Sequence, residues 1–145
     1  MTTPLQSKRG QGRLSAMRFL YEHEMNPAED LQEAMRAHFN YMRVKEGIAG
    51  YARVLIEGTL KHQKQIDKIL EENLSNWSLD RVSSIDRTVL RIGVYELVYA
   101  GDVPYTVTIN EMVEVSKQFG NADSAGFANG VLDGIRKKLE KQNGE

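Results

Sequence analysis

Glu111 and Glu114 stand three residues apart, so on a helix they share a face, and paired carboxylates can do general acid–base work. Thr108, three residues before Glu111, offers a simpler reading: a capping box at a helix start. The three histidines are His23, His38 and His62. None lies four residues from another and no His-Glu-x-x-His unit occurs, so zinc is not indicated. The absence of cysteine excludes disulfides and thiolate metal ligands. Gly10-x-Gly12 lacks the further glycine and the preceding strand of a phosphate-cradling loop. No serine stands in a nucleophile elbow. Neither catalysis nor a cofactor or metal is expected from these residues.

The cations point elsewhere. Net charge is −1, yet residues 1–21 carry Lys8, Arg9, Arg13 and Arg18 with no acid. The last ten residues are basic again, with Arg136, Lys137, Lys138 and Lys141 against Glu140 and Glu145. Two cationic ends on an acidic body suit a protein that meets phosphate. Arg13 and Arg18 lie near Tyr21, and single-stranded RNA needs charge for its phosphates and a ring face for a base. Four phosphate contacts to a single strand give a salt slope of only about −3. That modest grip favours an RNA binder assisted by a partner.

The elements that must position these groups read as all helix. A chain of 145 residues suits one domain or two small halves sharing a core. The first helix is expected over about 13–25, after a basic, mobile arm at 1–12, with Leu14, Met17, Leu20, Tyr21 and Met25 on one stripe. Asn26 is expected to cap a second helix, with Pro27 in its first turn and Met35 and Met42 on its apolar side. A long third helix should cover about 48–73. Ser75-Asn76-Trp77-Ser78-Leu79 reads as a connector between an N-terminal half, 13–75, and a C-terminal half, 76–145. Ser83 with Asp86 marks the start of a fourth helix, about 84–100, apolar around most of its circumference and so expected at the centre. A fifth helix at about 106–119 should end at Gly120 in a left-handed conformation. A sixth, about 125–141, follows the turn Asn121-Ala122-Asp123-Ser124. It contains Asn129-Gly130, where Gly costs about 1 kcal/mol relative to Ala. Such a glycine suits a close backbone approach or a stretch that a partner reads. No apolar run reaches the ~18 residues of a membrane span, and no signal-peptide core opens the chain, so a cytoplasmic location is expected.

Ordered motifs add a resemblance. Arg13-Leu14-Ser15-Ala16-Met17-Arg18-Phe19-Leu20-Tyr21 is followed by Asp86-Arg87-x-x-Leu90-Arg91-Ile92-Gly93-x-Tyr95-Glu96-Leu97. Then come Val103-Pro104-Tyr105, Ile109-Asn110-Glu111, Lys117-x-Phe119-Gly120 and Phe127-x-Asn129-Gly130-Val131-Leu132-Asp133. Each alone is weak, but in this order and spacing, over nearly the whole length, they resemble the NusB family of bacterial transcription antitermination factors. The resemblance implies an all-α fold of two packed three-helix subdomains in one compact domain. It implies no catalysis and no cofactor. It implies pairing with NusE, a small-subunit ribosomal protein, to bind the boxA element of nascent ribosomal RNA and help RNA polymerase pass terminators.

By motif, the resemblance places RNA contacts at Lys8, Arg9, Arg13 and Tyr21, and at Asp123, Ser124 and Phe127. It places the NusE surface around Asp80, Arg81, Ser84 and Arg87, and it gives Arg91, Tyr95, Glu96, Asn110 and Asn129 the task of tying helices together. The chain departs from the family where Gly10, Gln11 and Gly12 interrupt an arginine run. Gly126 stands where Lys is common, Ala128 where a β-branched residue is usual, and Ser116 where Ala is usual. The first two changes remove positive charge or leave it absent, which bears on RNA affinity and not on the fold. Two other readings stay open: an RNA-modifying enzyme built on a NusB-like domain, against which the missing catalytic half counts, and a helical interaction module without RNA. A homodimer is compatible with the acidic body.

Overall fold

The computed structural model describes residues 5–75 and 78–143. Asn76 and Trp77 of the expected connector lie outside the described residues, as do residues 1–4 of the expected arm and residues 144–145. Among the described residues there are seven α-helices, one short 3-10 turn and no strand. The helices are α1 (Lys8–Met25), α2 (Leu31–Tyr41), α3 (Glu46–Lys61), α4 (Gln63–Asn73), α5 (Ser84–Tyr99), α6 (Tyr105–Phe119) and α7 (Ser124–Asn143).

Local chemistry explains the starts. Ser7 accepts the Gly10 N–H at 2.9 Å, so α1 begins five residues earlier than the apolar periodicity suggests. The basic residues Lys8 and Arg9 therefore sit on the first helical turn and not on a free arm. Asp30, not Asn26, caps α2 by accepting the Glu33 N–H at 3.1 Å. Ser83 caps α5 through the Asp86 N–H, as the sequence suggests. Thr108 and Glu111 form no capping box: both lie inside α6, whose first turn follows Pro104.

The expected long third helix is two helices. At His62 the backbone leaves the helical region (φ −104°, ψ 16°), and its ring stacks on Tyr99 at 4.0 Å between centroids. Tyr95 continues the stack and lies over Gly58, where an added Cβ would fall 2.2 Å from the ring. Gly120 also differs from expectation. Its φ is −93°, so space and not handedness selects it: a Cβ there would meet the Ser124 Oγ at 2.3 Å.

Helix α1 packs on α3 and α6 on α7, α5 touches both pairs, and α4 lies along α5; α2 meets α1 and α3 through side chains, His38 beside Ser15 and Phe39 beneath Arg53. The apolar centre of α5 (Val89, Leu90, Ile92, Val94) is fully buried and meets both pairs, so the core is continuous. No described helix is long and apolar enough to cross a membrane.

Candidate nucleic-acid interface

The two faces of α1 carry different cations. Arg13, Met17 and Leu20 fall at i, i+4 and i+7 and turn inward. Lys8, Gln11 and Arg18 fall at i, i+3 and i+10 and turn outward. Arg13 was expected at an RNA surface, yet it is 2% exposed. Its Nε donates to Glu96 at 2.7 Å and its NH1 to Glu111 at 2.7 Å. Glu96 also accepts the hydroxyls of Tyr51 (2.6 Å) and Thr108 (2.8 Å). One guanidinium thus joins α1 to α5 and α6, with α3 added through Tyr51. Burial opposes its charge, but the hydrogen bond and field of Glu96 outweigh that and hold its pKa above the ordinary value. Burial, followed by the bond to Glu96, pushes the Tyr51 hydroxyl up and keeps it a neutral donor.

The glycines that interrupt the basic run have a packing role. Leu5 is buried, adopts a left-handed backbone (φ 70°) and donates its N–H to Glu111 at 3.0 Å. It lies directly on Gly10, where an added Cβ would sit 2.5 Å from the Leu5 Cα. Gly12 brings α1 close to α3, with the Ala52 backbone 3.3 Å from where a Cβ would be. Arg9 pairs with Asp102 at 2.9 Å and lies over the Tyr51 ring. Lys8 is exposed and carries no ion pair among the described residues.

The turn between α6 and α7 adjoins the outward face of α1. The Arg18 guanidinium lies 5.2 Å from the centroid of Phe119, the last residue of α6. Beyond it, Asn121 Oδ1 accepts the Asp123 N–H at 2.8 Å, and the Ser124 Oγ accepts the Asn121 N–H at 3.0 Å. Ser124 is buried and closes the turn, so it is not presented to a ligand as expected. Asp123 is exposed and Phe127 half-buried. Tyr21, one turn beyond Arg18, is half-buried and packs against the core. Helix α7 exposes Asn129 and Gly130, and a Cβ at Gly130 would meet nothing. A close backbone approach therefore does not explain that glycine. Asn129 and Asn110 are exposed and tie no helices among the described residues, whereas Glu96 and Arg91 do.

Of the residues expected at a partner surface, Asp80 and Arg81 are exposed on the 3-10 turn and Ser84 is half-buried. Arg87 is engaged within the chain. It bonds Glu24 of α1 through two nitrogens and donates to the Val82 carbonyl at 2.6 Å. Arg91 shares Glu24 and adds a two-pronged contact to Asp67 at 2.8 and 3.0 Å. Sequence spacing could have flagged this, since Arg87, Arg91, Tyr95 and Tyr99 form one i, i+4 stripe facing Glu24 of α1, then α4 and the end of α3.

The sequence profile of the NusB family matches residues 11–137. The chain belongs to the NusB family. It is 43% identical over 133 residues to a transcription antitermination protein NusB of Myxococcus xanthus, covering 90% of this chain and 95% of that one. It is 39% identical to that of Thermodesulfovibrio yellowstonii, over 90% of this chain and 93% of that one. Among solved structures, a T. maritima NusB superposes with a TM-score of 0.81 at 36% identity, covering 95% of this chain and 94% of that one. A complex described as antitermination factors NusB and NusE with dsRNA superposes with a TM-score of 0.82 at 27% identity, over 90% and 97%. The NusB fold is thus shared over 90–95% of this chain.

Proposed function

We propose that this chain is an RNA-binding, non-catalytic antitermination factor. It acts with NusE on boxA RNA of nascent ribosomal transcripts and works in the cytoplasm within the RNA polymerase antitermination complex. The observation that carries the reading is the seating of Arg18 on Phe119, which sets the cationic face of α1 beside the entrance to α7. Lys8 and Arg18 supply charge for phosphates, and Arg9 adds to it from its exposed pair with Asp102. Asp123 offers a carboxylate to base amino groups, and Tyr21 and Phe127 offer ring edges. Arg13 supports this surface from beneath by fixing α1 on α5 and α6. Asp80, Arg81 and Ser84 are the proposed NusE-facing residues.

Fluorescence anisotropy with a short boxA RNA tests the reading. Weak binding by the chain alone and tighter binding with NusE are expected. Equal affinity with and without NusE would contradict it.

A further inference from the structure

A second cationic feature lies at the corner between α2 and α3, which no sequence motif singled out. An open cavity of about 520 Å³ separates this corner from the outward face of α1. Lys8, Arg18, Arg43 and Lys45 line it together with His38 and Gln11. No acidic side chain lines it, and none of the four cations has an ion pair among the described residues. Lys8 leans toward Gly47 at the start of α3, which closes one side. Burial holds the His38 ring below its ordinary pKa, so the imidazole is neutral near pH 7 and can accept or donate one hydrogen bond.

The backbone at Arg43 is a separate observation. Helix α2 ends in a Schellman motif: Val44 N–H bonds the Phe39 carbonyl at 2.9 Å and Arg43 N–H bonds the Asn40 carbonyl at 3.2 Å. Arg43 occupies the left-handed position of that motif with φ 54°. Glycine takes this position without strain, and an arginine does not. A strained residue whose long cationic side chain lines a cavity free of acids calls for a reason outside the fold.

The geometry points to this corner as a phosphate-binding subsite that extends the RNA path beyond α1 and the α6–α7 turn. Arg43 and Lys45 would each neutralise one further phosphate of the strand, opposite Lys8 and Arg18. The inference rests on the RNA-binding reading above and adds residues to it. Each single-strand phosphate contact contributes about 0.7 to the salt slope, or roughly fivefold in affinity at 0.1 M relative to 1 M salt.

Arg43→Gly separates the fold from the ligand. Its Tm should equal or exceed that of the parent chain, because the left-handed strain is relieved. Its affinity for a single-stranded boxA RNA should fall about fivefold and its salt slope shrink by about 0.7. Arg43→Gly with Lys45→Gln should fall about 25-fold, with a slope smaller by about 1.4. Lys8→Ala serves as the reference on α1. If Lys8→Ala weakens binding while both corner variants keep the parent affinity and slope, the subsite is overturned and the RNA-binding reading stands. If the parent chain binds no RNA with or without NusE, the reading itself fails. A loss confined to the NusE complex and absent with RNA alone would assign the corner to protein and also overturn the subsite, as would a clear drop in Tm for Arg43→Gly.

Discussion

Arg13 and Arg18 lie five residues apart on α1 and do opposite things. Arg13 faces inward, meets two carboxylates and holds three other helices to its own. Arg18 faces outward, has no ion pair among the described residues and rests on an aromatic ring. Five residues advance the helix by about 500°, or some 140° around the axis, which is enough to separate core from solvent. The two also differ in what their removal would leave behind. Removing Arg13 leaves two carboxylates short of a cation in the interior, whereas removing Arg18 leaves nothing buried and unpaired. A basic stretch is therefore not one functional unit, and its helical phase decides which cations are available to a ligand.

The largest expected effect comes from breaking the inward side. Arg13→Ala should destabilise the fold by about 3–5 kcal/mol, because Glu96 and Glu111 stay buried without their partner. Thermal unfolding should show a Tm lower by about 10 °C. A variant that unfolds like the parent but binds RNA poorly would return Arg13 to the ligand surface.

Next in size is Gly10→Ala. A methyl group 2.5 Å from the Leu5 Cα and 2.8 Å from its carbonyl carbon must displace backbone. A loss of about 1–3 kcal/mol is expected, with faster amide exchange at Leu5 as its N–H leaves Glu111. Unchanged exchange would mean that Leu5 is not held by this contact.

A smaller effect should appear with pH at His38 of α2, whose ring meets Ser15 of α1. Burial holds its pKa below 6.5. The unfolded chain then carries a proton that the native chain lacks as pH falls under 6.5. Stability is retained above that value and declines below it, at no more than about 1.4 kcal/mol per pH unit from this group. Urea unfolding from pH 7.5 to 5.5 should show a shallower decline for His38→Gln than for the parent. Parallel curves would sink the assignment.

Much of the fold was legible because its signals are local. Apolar periodicity located the helices, and the Ser83–Asp86 spacing marked the start of α5. The nearly all-round apolar surface of α5 correctly gave the most buried helix. The misses depended on partners distant in sequence. Nothing near Arg13 shows that Glu96 and Glu111 wait 83 and 98 residues away. The role of Gly10 needed the position of Leu5, and the break at His62 needed Tyr99. At the candidate site, the α1 cations and the turn at Asp123 were named by motif. Which of them face outward was not: Lys8 and Arg9 were put on an arm because Ser7 starts the helix before its apolar stripe, and Arg13 was not read as part of the buried face it shares with Met17 and Leu20. Arg43 and Lys45 belong to no motif and became visible only as walls of a shared cavity.

The most direct test of the outward face is the salt dependence of RNA binding by Arg18→Gln, measured by anisotropy beside the parent chain with NusE present. Its stability should stay within about 0.5 kcal/mol of the parent. Its slope in log affinity against log salt should be smaller by about 0.7, with affinity down roughly fivefold at 0.1 M salt. A slope and affinity identical to those of the parent would contradict the account.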